Sequence, residues 1–174
     1  YPDYPQAAID STYACMGYSL ERLAADDSDP EERHCYHFQN MNPVLPEALV
    51  QMTMGTPSAL YNGGLLQSHL RYFDPQKRRA GLPDHVAALV HVVSADGAAV
   101  TLVNTDPVAQ QAVVLQAGSF AEHEFGAVQA AGAQIEQVDG RWLNVELGPA
   151  TQVDLNIDMR RFAHRPSHEG PQWS

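Results

Sequence analysis

The chain has 174 residues, enough for one ordinary domain or a small domain with an extension, and its 44% apolar content suits a packed core. Twenty-one Asp and Glu against ten Lys and Arg leave a net charge of −11. So acidic a surface repels phosphate backbones and anionic bilayers, which excludes nucleic acid and membrane as expected partners.

In chain order, the first feature is a helical pattern. Ile9, Tyr13, Met16, Leu20 and Leu23 recur at helical spacing and predict an amphipathic helix over residues 5–25. Asp26, Asp27, Asp29, Glu31 and Glu32 around Pro30 then read as a solvated acidic loop. Pro46 at a first turn and Gly55 just past an end predict a second helix over 46–54. Tyr61-Asn62-Gly63-Gly64 is a turn signal, and residues 65–73 form a candidate strand closed by Asp74-Pro75.

From Pro83 the period changes to two. Strands are expected over 85–94, 99–104, 112–117, 122–129, 134–138, 141–147 and 151–159. Asp96-Gly97 and Asp139-Gly140 read as two-residue hairpin turns. In the last strand Val153, Leu155, Ile157 and Met159 face inward and Asp154, Asn156 and Asp158 outward. With no helix between them, about seven short strands predict an antiparallel β-sandwich. The fold class is therefore α+β: an N-terminal helical segment (1–82), a sandwich (83–159) and a surface tail (160–174). The longest apolar run, 85–93, is strand length and far short of a bilayer span. The chain opens without a basic and apolar leader and without Met, so a processed chain or a piece of a longer one is expected, and the compartment stays open.

The first helix has too little apolar surface around it in the N-terminal half. A lone amphipathic helix of this length is marginal in water. A partner covering residues 5–25 is therefore expected, from a second chain or from sequence upstream.

Candidate chemistry is sparse. His34-Cys35-Tyr36-His37 is the densest set of potential ligands, but no second pair stands at metal spacing, so the expectation is aromatic packing and no metal. Cys15 and Cys35 permit one disulfide; two free, buried thiols are the preferred reading. His123 is taken as a half-buried strand residue sharing a face with Phe125, with Glu122 and Glu124 on the other face. His164, His168 and Glu169 fit an ordered polar tail. Asp3, Asp10, Glu47 and Asp74 offer carboxylates for glycosidase chemistry, yet sequence pairs none of them. Nothing names a nucleophile or a phosphate loop, so no catalytic residue and no cofactor is assigned. Tyr61 beside Asn62 on a glycine turn could stack on a sugar ring and bond its hydroxyls.

Two stretches carry a resemblance: Pro46-Glu47-Ala48-Leu49-Val50-Gln51-Met52-Thr53-Met54-Gly55 through Tyr61-Asn62-Gly63-Gly64 to Leu70-Arg71-Tyr72-Phe73-Asp74-Pro75, and Val100-Thr101-Leu102-Val103-Asn104-Thr105 through Val114-Leu115-Gln116-Ala117-Gly118 to Glu122-His123-Glu124-Phe125. Over residues 43–160 they resemble the C-terminal end of bacterial (α/α)-toroid proteins of the six-hairpin glycosidase type, which carry an appended β-sandwich. The resemblance implies that residues 5–54 close an α/α array and that the sandwich buttresses a helical catalytic region. It also implies a catalytic acid outside this chain and a carbohydrate or other small polar ligand near Tyr61, Asn62 and His37. The rival expectation is a non-catalytic β-sandwich module for binding or structure. A small stand-alone hydrolase or lyase built on His34 and His37 is the third.

Overall fold

The structure, a computed structural model, describes residues 3–56, 68–130 and 136–173. The chain divides into two compact units, Tyr1–Leu49 and Val50–Ser174. The fold is α+β, an N-terminal helical segment followed by an antiparallel β-sandwich of four and five strands.

The first unit is built on α1, Tyr4–Ala24, which has Pro5 in its first turn and Arg22 in its last. Ser19 is its one buried residue. Tyr13, Tyr18, Leu20 and Leu23 of the expected apolar stripe and its flank are exposed. The less exposed positions are Pro5, Ala8, Ile9, Thr12, Met16, Gly17 and Ser19, so the sheltered face keeps Ile9 and Met16 of the expected stripe and leaves Tyr13, Leu20 and Leu23 outside it. A 3-10 turn follows at Pro30–Glu32, its first N–H groups capped by Asp29. A second, His37–Met41, returns along α1 and buries Met41.

Helix α2, Glu47–Met54, spans the boundary between the units. The sandwich that follows has nine strands: β1 Leu70–Asp74, β2 Arg79–Ala80, β3 Val86–Val93, β4 Gly97–Asn104, β5 Gln111–Ala117, β6 Glu124–Ala130, β7 Glu136–Gly140, β8 Trp142–Leu147 and β9 Gln152–Arg160. Seven of them follow Pro83, the number expected. The other two, β1 and β2, complete the smaller sheet, whose order is β2-β1-β5-β8; the larger runs β3-β4-β9-β6-β7.

Period two explains the core. Leu70 and Tyr72 of β1, Val113, Leu115 and Ala117 of β5, and Leu143 and Leu147 of β8 face Val100 and Leu102 of β4, Phe125 and Val128 of β6, and Leu155, Ile157 and Met159 of β9. Each large side chain withdrawn in this way contributes about 1.5–3 kcal/mol. The inward positions foreseen for the last strand hold from Leu155 to Met159, while Val153 is half-buried.

Asp96-Gly97 does join β3 to β4 as a tight hairpin, with Ser94 N–H donating to the Gly97 carbonyl at 3.0 Å. Asp139-Gly140 does not. Strand β7 pairs with β6 and β8 with β5, so the chain passes between sheets there. Asp139 has φ 44°, the left-handed geometry that Asp tolerates.

The tail crosses the outside of the smaller sheet. Gly170 approaches Phe73, Pro171 is buried, and Phe73 lies between Trp142 (5.7 Å) and Trp173 (6.2 Å) in tilted, edge-on contacts.

Candidate functional site

In the first unit a groove of about 560 Å³ runs between the end of α1 and the segment 34–41. Arg22, Ala25, Asp26, His34, Tyr36, His37, Asn40 and Met41 line it. A neighbouring depression of about 440 Å³ shares Tyr36 and Met41 and adds Leu23, Phe38, Gln39, Asn42 and Pro43 among its walls. The exposed Tyr36 ring therefore stands between the two, and both are lined by polar and apolar side chains together.

Asp26 organises the polar side. Its Oδ1 accepts from Ser28 Oγ (2.7 Å) and Ser28 N (3.3 Å); its Oδ2 meets His37 Nε2 at 2.9 Å and Arg33 at 3.2 Å. The Ser28 hydroxyl and then His37 hold the carboxyl down at about 2, with Arg33 adding to them. Arg33 also donates to Ser28 Oγ and to the Ser28 carbonyl, each at 3.0 Å.

Ser28, His37 and Asp26 thus lie within hydrogen-bond reach, but they are not a nucleophilic triad. A triad places serine and carboxylate on opposite imidazole nitrogens. Here both lie on Nε2, 3.2 Å and 2.9 Å away, and Ser28 gives its proton to Asp26. The serine is an acceptor for Arg33 and His37, so no base draws off its proton. With a pKa near 2, Asp26 has no proton to give at neutral pH, and its roughly four acceptor positions are filled. The cluster is a scaffold that fixes His37 and Arg33 beside the groove.

His34 and His37 do not share a helical face. His34 Nδ1 accepts from Tyr36 N at 3.2 Å and its ring lies 5.2 Å from Tyr36, while His37 packs edge-on against Phe38 at 5.1 Å. Among the described residues no three His, Cys, Asp or Glu side chains converge as a metal site. Cys15 and Cys35 are free, as expected, but exposed rather than buried, because neither position turns into a core. Tyr61 and Asn62 lie outside the described residues.

The sandwich carries a second polar cluster. His123 is not a half-buried strand residue: β6 begins at Glu124, and His123 precedes it, 1% exposed, in a turn where Ala121 has φ 54°. That turn brings neighbours together that strand alternation would have separated. Glu122 Oε1 lies 3.7 Å from His123 Nε2, and Oε2 accepts from Phe120 N at 2.7 Å. His123 Nδ1 accepts from Phe162 N at 3.0 Å. Buried His69 lies 2.9 Å from the Gly55 carbonyl through Nδ1 and 3.3 Å from Arg161 through Nε2. Since a carbonyl only accepts, Nδ1 carries the proton and Nε2 receives Arg161. Burial, first, pushes both imidazoles below their ordinary value, and Arg161 pushes the same way. Both rings are neutral, each with a fixed tautomer and its bonds turned inward. His69 and Arg161 escaped the sequence reading because no spacing links positions 92 residues apart.

Asp10 sits on α1 bonded to Gln6, Glu47 in the first turn of α2, and Asp74 caps the turn to β2 through Gln76 N and Lys77 N. Asp3 is at the N-cap of α1 and makes no side-chain cap bond. Comparison with protein families, characterised proteins and solved structures finds no match to the chain. Among the described residues no helix is long and apolar enough to cross a membrane.

Proposed function

We propose that the chain is the C-terminal part of a carbohydrate-active, glycoside-hydrolase-like protein. The sandwich buttresses a helical region, and the groove of the first unit takes up a saccharide. The groove itself carries this reading. An exposed aromatic ring, Tyr36, stands beside His34, His37, Asn40 and Arg22, a mixture suited to stacking on a sugar ring and bonding its hydroxyls. Asp26 and Ser28 hold His37 in place, so part of the ordering cost of binding is met before a ligand arrives. The acid of a glycosidase needs a raised pKa, and Asp26 has the opposite. Bond cleavage accordingly belongs to residues outside this cluster, in the helical region that would cover the exposed side chains of α1.

The test is a titration of the chain with a panel of neutral oligosaccharides, followed by NMR. Shifts should centre on residues 22–41 and vanish in Tyr36→Ala, with every oligosaccharide recovered intact. A panel that moves none of these resonances would refute the reading. It would leave the second one, a non-catalytic β-sandwich module, which the inward-turned bonding of His69, Glu122 and His123 favours.

A further inference from the structure

The segment beyond β9 is tied down at its root by two imidazole nitrogens that accept from it, His123 Nδ1 and His69 Nε2. Phe162 turns the chain sharply at φ 54°, and its N–H donates to His123 Nδ1 while its ring meets the imidazole edge-on at 4.9 Å. Arg161 reaches His69 Nε2. Beyond the root, His164 N donates to the Glu122 carbonyl (3.1 Å) and Ser167 N to the Phe120 carbonyl (2.7 Å), and His168 packs on Phe120. The segment ends over Phe73, which is 5% exposed beneath Gly170 and Trp173.

From this geometry we infer that residues 161–173 form a strap latched by two neutral histidines, which acid releases to uncover the aromatic face of Phe73 and Trp142. Protonating His123 puts an N–H where the Phe162 N–H already points, so two donors meet. Protonating His69 sets a cation against Arg161. Neither ring has room to turn, since His123 is 1% exposed and His69 5%.

The other charged groups around the root divide. Glu122, 3.7 Å from His123 Nε2, favours the protonated ring; burial opposes it most, and Arg161 and His69 oppose it as well. On the strap itself, His164 lies 2.8 Å from Glu124 Oε2, and Arg160 of β9 holds the other Glu124 oxygen at 2.6 Å. When protonated, His164 pulls the strap down and so works against release. The balance is set at His69 and His123, whose values are depressed in the closed state. An open strap returns them toward about 6.5. Closure is therefore complete above that value. As pH falls from it toward the lower closed-state values, the opening equilibrium rises about tenfold per pH unit for each histidine involved.

The experiment is amide hydrogen exchange on the full chain from pH 7.5 to 5, corrected for intrinsic rates. It is read beside the emission of Trp173 and Trp142, the chain's two tryptophans. Protection at Phe162, His164 and Ser167 should fall on that slope while Leu102 and Leu115 keep theirs, and emission should move to the red. His123→Asn keeps an acceptor near Nδ1 and cannot take the proton, so it should flatten the slope by about one power of ten per unit. Tail protection unchanged to pH 5 would overturn the inference. So would tail and strand protection falling together, or a wild-type slope in the double variant His123→Asn, His69→Gln. Should the variants not fold, the wild-type His123 ring shifts decide. Their midpoint must coincide with the loss of protection at Phe162, and a midpoint elsewhere overturns the latch.

Discussion

Asn104 closes the end of β4 with four bonds from one side chain. Its Nδ2 reaches the carbonyls of Ala109 (2.8 Å), Gly148 (2.9 Å) and, more loosely, Leu147 (3.3 Å), and its Oδ1 accepts from Asp106 N at 2.9 Å. It is 1% exposed, so truncation strands backbone groups where water cannot replace the amide. Asn104→Ala should lower stability by about 2–3 kcal/mol in urea unfolding, at an unchanged slope. Asp26 offers the residue-scale test by pH. Its carboxyl is depressed from 3.8 to about 2, so its hold on Ser28, Arg33 and His37 is complete above 3.8 and is lost as pH falls through 2. The Ser28 amide resonance should therefore stay constant from pH 7 to 4 and move with a midpoint near 2. A midpoint near 4 would show that the bonds to Ser28 and His37 do not hold in solution. Little of this was legible from sequence, because side-chain bonds between loop residues follow no period.

The strands were legible, since a half-buried sheet writes its burial into alternate positions and Asp-Gly marks its tight turns. What the pattern could not distinguish was a hairpin from a crossing. The same residue pair stands at both, so Asp139-Gly140 looks like Asp96-Gly97 although only the latter joins paired strands; the left-handed residue is Asp139, at the crossing, and neither Asp96 nor Gly97. The His123 turn was hidden for another reason: no Gly, Pro, Asn or Asp stands between Gly118 and Glu124 to mark where the pairing begins. Gly97 tests the hairpin it begins. It pairs with Asp158 of β9, and a Cβ there would sit 2.2 Å from the Ile157 carbonyl oxygen, a backbone atom that cannot swing aside. Gly97→Ala should cost about 2 kcal/mol or more and loosen the β4–β9 ladder first, seen as earlier exchange at Val100 and Leu155. Phe125→Ala removes a fully buried ring from the opposite side of β9 and should cost about 3–5 kcal/mol. If the glycine variant matched wild type, the close approach of the two strands would be wrong.

At the scale of the molecule, charge and exposed apolar surface pull in opposite directions. A net charge of −11 keeps chains apart at neutral pH. Yet Tyr13 is 67%, Tyr18 62% and Leu20 51% exposed on one helix, more apolar surface than a solvated helix needs. The helix was legible in the spacing of Ile9, Tyr13, Met16, Leu20 and Leu23, and so was the shortage of apolar surface beside it. Which surface covers the stripe was not legible, because a helical apolar stripe reads the same whether it meets its own chain or a different one. Under the proposed function a helical region covers that stripe. The chain without it should then satisfy the face weakly with copies of itself once salt screens their repulsion. Sedimentation at rising protein concentration in about 0.5 M salt should give masses above the 19.1 kDa of one chain. Tyr13→Glu with Leu20→Glu should restore the single-chain mass while leaving the far-ultraviolet circular dichroism of α1 and the sandwich in place, since both positions point to solvent and glutamate is a good helix former. A chain that stays monomeric at every concentration, with α1 fully helical, would mean the helix needs no cover, and the buttressed helical array would lose its physical ground.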